Sequence, residues 1–322
     1  MKEFHRVPWP RAAAFLAVGC AGILAACSAP SAPEPGAEDA TATSSAARDD
    51  FDLRAELDHA IAEVEEEYDV RAGVAIADDK GVTQEGLTGE EPTWSTVKVP
   101  IAIAALRAGA STGLVDLAIK QSDNDAAWAL WSQVAWTEGN AADAVEALVE
   151  DYGSHGRFEE TFGYSTWLLA DQAVFGSHLP CIPEAEYVYD AMDDIVQWQH
   201  NGLDALPNTR AKGGWGLSEL DNGYTHRQFG VRNTEDGAVG LAIEVTMPGE
   251  DMNEAIPALN VLATRVDEVV TDALEAGAIT PRTECAKDTA GKEGGTATST
   301  TSRTSSAPSS TPESTRRFGS AS

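Results

Sequence analysis

Basic residues are scarce in this 322-residue sequence: 22 Lys+Arg stand against 52 Asp+Glu, a formal net charge of −30. A surface this acidic repels a phosphate backbone and gains nothing from counterion release. Nucleic acid is therefore excluded as a partner, and no basic tract, RNP motif or zinc-finger spacing stands against that. Cysteine is also scarce, with 4 in the chain, and the 6 histidines form no cluster at ligand spacing, so neither a metal nor another cofactor is expected. No internal repeat is evident. What the sequence does have is a hydrophobic fraction of 43%, enough for at least one sizeable core, which excludes disorder throughout.

The first residues read as an export signal. Lys2, Arg6 and Arg11 form a basic leader, and Ala12 to Ile23 is an apolar stretch too short to span a bilayer. Leu24-Ala25-Ala26-Cys27 follows and resembles the bacterial lipobox, in which a diacylglyceryl group is joined to the cysteine and the chain is cut before it. Cys20 fits that pattern less well, because Ala17 stands where leucine is usual. The expected organisation is a signal peptide over 1–26, a disordered tether over 27–50, a folded domain over 51–286 and a disordered Ser/Thr-rich tail over 287–322. Export and lipid on Cys27 would place the protein outside the cytoplasm, anchored to the bacterial cell membrane. Setting Cys20 and Cys27 aside leaves Cys181 and Cys285, which an oxidising compartment would join as a disulfide.

Within the domain, Leu57, Ile61, Val64 and Tyr68 recur at helical spacing, which predicts a helix over 52–68. Alternating apolar runs over 70–77 and 82–87, around Asp78-Asp79-Lys80-Gly81, predict a β-hairpin. Helices are predicted over 95–108, 115–120, 125–134, 141–152, 166–175 and 185–200. Strands follow over 209–216, 224–232 and 238–247, and a closing helix over 253–276. This order predicts one α+β unit: a five-stranded antiparallel sheet covered by the terminal helices, with a helical subdomain inserted in the middle.

Three short motifs carry chemistry. Ser95-Thr96-Val97-Lys98 spaces a hydroxyl and an amine at i and i+3, within reach of each other on a helix. Serine is a weak nucleophile until a base takes its proton, and a desolvated lysine can become that base. A serine at a helix N-terminus also has backbone N–H groups aimed at the carbonyl oxygen under attack. Ser122-Asp123-Asn124 lies between two predicted helices, and Lys212-Gly213-Gly214 lies on a predicted strand before Trp215.

In this order, the motifs resemble the penicillin-binding proteins and class A β-lactamases, over about Phe51 to Cys285. The resemblance implies that Ser95 is the acylated nucleophile, Lys98 its base, and Ser122 the relay returning a proton to the leaving group. It implies that Asn124 holds Lys98 and the substrate's carbonyl, that Lys212 supplies positive potential near the substrate carboxylate with Gly214 on the same substrate-binding strand, and that the oxyanion hole is the backbone N–H of Ser95 and Trp215. Asp123 would be structural.

The departures from the pattern matter as much. Ser95 and Ser122 are 122 − 95 = 27 positions apart, about half the usual class A separation. Gly213 stands where a threonine or serine normally meets the substrate carboxylate, leaving Arg227 or Arg232 on the following strand as replacements. The glutamate element that activates the deacylating water has no recognisable counterpart beyond Glu159 and Glu160. Trp94, Trp128, Trp131 and Trp167 are candidates for cleft walls or for core. The expectation is a lipid-anchored, monomeric serine hydrolase that acylates Ser95 with β-lactams or D-alanyl cell-wall peptides and deacylates slowly. The rival is a non-catalytic wall-binding lipoprotein on a degenerate copy of the same fold.

Overall fold

Asp52 opens the fold. Its carboxylate accepts hydrogen bonds from the backbone N–H groups of Arg54 (3.1 Å) and Ala55 (3.2 Å), capping helix α1 (Leu53–Tyr68), whose apolar stripe of Leu57, Ala60, Ile61 and Val64 is buried. The computed structural model describes residues 51–218, 223–249 and 252–283. The expected signal peptide, tether and tail, with Cys20, Cys27 and Cys285, lie outside the described residues. Cys181 is disulfide-bonded.

Strands β1 (Arg71–Ala77) and β2 (Val82–Gly86) form the expected hairpin. A helical block follows: α2 (Lys98–Arg107), α3 (Thr112–Lys120), α4 (Asn124–Glu138), α5 (Ala141–Glu150), α6 (Leu169–His178) and α7 (Glu186–Ala191). Then β3 (Thr209–Leu217), β4 (Gly223–Thr234) and β5 (Gly237–Pro248) run as a meander into α8 (Met252–Ala276). All pairings are antiparallel, in the order β2-β1-β5-β4-β3, which leaves β3 at the edge. The α+β architecture is therefore the one the sequence predicts.

Two cores sandwich the sheet. On one face Leu57, Ile61 and Val64 of α1 pack with Leu259, Leu262 and Val266 of α8 over Val74, Ile243 and Val245. On the other, Ile101 and Ile103 of α2 and Phe175 of α6 join Phe229 of β4. Each such side chain contributes about 1.5–3 kcal/mol on burial. β1 and β5 are covered on both faces, which is why they read as near-continuous apolar runs.

Several helix boundaries differ from expectation, α3 starting earlier at Thr112 and α4 running on to Glu138, and in three places specific hydrogen bonds or bridges outweigh periodicity. Residues 94–97 form turns and α2 starts only at Lys98, since Thr96 N–H bonds back to Thr93 O (3.1 Å) and Lys98 N–H to Ser95 O (3.3 Å). Thr166 is extended, bridging to both Pro92 and Arg157, so α6 begins at Leu169. The segment expected to be helical to His200 stops at Ala191, because Val196 N–H is drawn to Lys120 O at the end of α3 (3.0 Å). Among the described residues no helix is long and apolar enough to cross a membrane.

Candidate active site

The turn before α2 is held from three sides. Trp94 sits in the left-handed region (φ 44°), its N–H bonded to Gly163 O (3.0 Å), while Thr93 N–H bonds Ser165 O (2.9 Å). A non-glycine residue in this region stores strain of about 1–3 kcal/mol. From the other side, β3 presses against the turn at its glycines. A Cβ on Gly214 would stand 2.7 Å from Thr93 O and 2.8 Å from Ser95 N, and one on Gly216 would strike the Trp94 indole. Ser95 is thus lodged between α2 and the open edge of the sheet, with its backbone N–H beside the Gly214–Trp215 segment. The Ser95 backbone and the Gly214–Trp215 segment of β3 are therefore neighbours.

Lys98, 1% exposed, is buried behind the turn, with its amine against Ser122 and Asn124. It donates to Ser122 O (2.6 Å), Asn124 Oδ1 (2.7 Å) and Ser122 Oγ (3.3 Å). Burial lowers its pKa to about 8, partly opposed by the charge of Asp123. Ser122 itself is left-handed (φ 57°) at the junction of α3 and α4, which turns its hydroxyl and carbonyl back toward the lysine. Asp123 caps α4 by accepting from Ala126 N–H (2.7 Å), and Asn124 opens the helix.

Lys212 arrives from β3. Fully buried, it donates to Ser122 Oγ (3.0 Å) and to Gly213 O (2.9 Å). Burial, reinforced by Lys98, lowers its pKa well below the ordinary lysine value, against a smaller opposing pull from Asp204. Lys98, Ser122, Asn124 and Lys212, far apart in sequence, therefore form one hydrogen-bonded cluster beneath Ser95. His226 lies below Trp215, with ring centroids 5.5 Å apart, and burial together with Lys212 lowers its pKa to about 3, so it stays neutral.

Above the cluster opens a cleft of about 670 Å³, lined by Ser95, Ser122, Asn124 and six aromatic residues: Trp94, Trp128, Phe162, Tyr164, Trp198 and Trp215. Trp94 and Trp128 are cleft walls, whereas Trp131 and Trp167 are buried in the core. Trp198 and Trp215, edge to face at 5.6 Å, were not legible as a wall. The signal available in sequence was a tryptophan set among polar residues, Gln197-Trp198-Gln199, which is unusual for a core position.

One expectation needs correction. Arg227 does not face the cleft: it is fully buried and donates to the carbonyls of Glu91 (2.7 Å), Pro92 (3.1 Å), Gly89 (3.1 Å) and Trp167 (3.2 Å). Its Nε stands 3.2 Å from Glu244 Oε2, an ion-pair distance without hydrogen-bond geometry. Arg227 is a brace beneath the Ser95 turn because its reach is taken up by these carbonyls. Arg232 lies at the far end of β4, paired with Asp267 (2.7 Å). Neither Glu159 nor Glu160 lines the Ser95 cleft; Glu159 pairs with Arg157 (3.2 Å), and Thr161 to Tyr164 occupy that wall instead. Among the described residues no group of three or more His, Cys, Asp or Glu is placed to hold a metal.

No protein-family model matches the sequence, and no curated protein matches it either. Solved structures do. A class A β-lactamase from Bacteroides cellulosilyticus aligns with a TM-score of 0.56 at 12% identity, covering 69% of this chain and 100% of that one. A variant of the last common ancestor of Gram-negative bacterial class A β-lactamases gives 0.53 at 18%, covering 68% and 99%. The extended-spectrum β-lactamase TLA-3 gives 0.54 at 12%, covering 67% and 99%. The fold is that of the class A β-lactamases.

Proposed function

We propose that this protein is a serine acyl-transfer hydrolase that forms an acyl-enzyme on Ser95. The observation that carries this reading is the convergence of Lys98, Ser122, Asn124 and Lys212 in one hydrogen-bonded cluster beside a serine on a strained turn. Neutral Lys98 takes the Ser95 proton as Oγ attacks the carbonyl carbon of an amide, ester or lactam. The oxyanion rests on the Ser95 and Trp215 N–H groups. As the tetrahedral adduct collapses, the proton passes from Lys98 through Ser122 to the leaving atom. Water then cleaves the acyl ester, releasing a carboxylic acid and restoring Ser95.

Likeness to β-lactamase structures makes β-lactams and D-alanyl cell-wall peptides the reference substrates. Export and a lipid on Cys27 would bring the cleft to the cell wall, with Cys181 and Cys285 bridged. A Cys27→Ala protein released from the membrane, and no free thiol from either cysteine in the unfolded, unreduced domain, are the expected results. The deciding experiment is intact-mass analysis after incubation with a penicillin and with a neutral aryl ester. A one-equivalent adduct on Ser95, absent in Ser95→Ala, supports the reading. No adduct with either would overturn it in favour of a non-catalytic wall-binding lipoprotein, the reading that Gly213 and the missing deacylating carboxylate favour.

A further inference from the structure

Among the described residues the cleft wall carries no cationic side chain: no lysine, arginine or histidine lines it, and its charged lining residues are Asp123 and Asp125. The cations that sequence position makes available are committed elsewhere. Lys212 is sealed beneath the cleft, with its amine on Ser122 and Gly213 and its charge disfavoured by burial. Arg227 braces loop carbonyls, Arg232 pairs with Asp267, and Arg210 pairs with Asp190 (2.7 Å) while stacking on Tyr189. Gly213 contributes no hydroxyl. A chain of net charge −30 adds a field that repels anions. What lines the cleft instead is aromatic, and much of it is accessible: Tyr164 is 62% exposed, Trp198 58% and Trp128 41%. Large apolar side chains left this open beside a nucleophile mark a surface made to be covered by ligand.

Resting on the acyl-enzyme reading above, we propose that the cleft selects an acyl donor with no carboxylate near its scissile carbonyl, and that the donor's aromatic acyl group stacks on the tryptophan wall. Charge complementarity and ring surface point the same way: a carboxylate brought in beside Ser95 would meet Asp125 and find no cation, whereas a flat ring meets Trp128 and Trp198.

A matched pair of thioesters tests this on the purified protein: phenylacetylglycyl-mercaptoacetate, which has a free carboxylate, and its methyl ester. Each loses its thiol when the C–S bond breaks and the Ser95 O–C bond forms, the Ser95 proton ending on the thiolate, so both are read by released thiol. The methyl ester should be favoured by about fivefold or more in kcat/KM, after division by the hydroxide rates, as expected for removing one like-charge contact near the surface. Asp125→Asn should narrow that gap by accelerating the acid more than the methyl ester, and an unchanged ratio would overturn the charge half of the proposal. Trp128→Ala and Trp198→Ala should each slow the phenylacetyl probe by about three- to tenfold, the size of a lost aromatic pair, and barely affect its acetyl analogue.

Equal or faster reaction of the free acid would overturn the proposal and leave the acyl-enzyme reading standing. Equal losses for phenylacetyl and acetyl probes would overturn the stacking half. Failure of both thioesters to label Ser95 would overturn the underlying reading itself.

Discussion

Lys212 Nζ stands 3.0 Å from Ser122 Oγ, so a buried strand lysine and the interhelical serine share one hydrogen bond, and Lys98 reaches the same hydroxyl at 3.3 Å. Two lysines converging on one serine hydroxyl cannot both hold their charge easily out of water. The consequence is a pair of amines displaced toward the neutral form, one of which can act as a base.

The pH dependence follows from that displacement. Lys98 must be neutral to accept the Ser95 proton, and its pKa is lowered to about 8 by burial. Acylation of Ser95 is therefore expected to rise with pH, half-maximal near pH 8, and to fall about tenfold per unit well below it. His226, already neutral in this range, adds no inflection. Single-turnover labelling between pH 6 and 10 measures this, and a rate flat from pH 6.5 to 9 would contradict it. Lys98→Arg, a permanent cation, should lose about 10²–10⁴ in acylation rate.

Gly214→Ala should disable the site without dissolving the fold. Its new methyl group would sit 2.7 Å from Thr93 O and 2.8 Å from Ser95 N, forcing β3 away from the turn and opening the space between the Ser95 and Trp215 N–H groups. Losing one oxyanion donor typically costs 10²–10³ in rate, about 3–4 kcal/mol. Labelling of Ser95 should fall by that factor while far-ultraviolet circular dichroism stays native; unaltered labelling would show that β3 does not complete the site.

Deacylation should be slow. Neither Glu159 nor Glu160 lines the cleft, and losing a positioned general base typically costs on the order of 10²–10⁴. Stopped-flow traces should show a burst of about one equivalent, then a slow phase unchanged in Glu159→Ala and Glu160→Ala. Rapid turnover abolished by either substitution would refute this.

Arg227 should matter for stability. Replacing it by alanine leaves Glu244 buried without the Arg227 charge and removes one donor from each of four loop carbonyls. Breaking a buried pair costs about 3–5 kcal/mol. Denaturant unfolding of Arg227→Ala measures it, and a loss under 1 kcal/mol would show that the brace carries little.

Much of the architecture was legible because its determinants are local. Leu57, Ile61 and Val64 repeat at helical spacing, the run from Val239 to Val245 reads as a doubly covered strand, and Ser95, Lys98, Ser122 and Lys212 stand in an order that only a few folds use. Sequence alone therefore determined the α+β class and singled out the serines and lysines on which the proposed acylation rests. Tertiary structure decided what those residues face. Arg227 on β4 looks equally available to cleft or core until Gly89, Glu91, Pro92 and Trp167 close around its guanidinium, since direction across a sheet depends on which loops pack there. Trp198 and Trp167 both lie within segments predicted to be helical, yet one is 58% exposed at the cleft and the other fully buried. Side-chain environment is set by contacts between distant segments, and those exist only once the chain has closed.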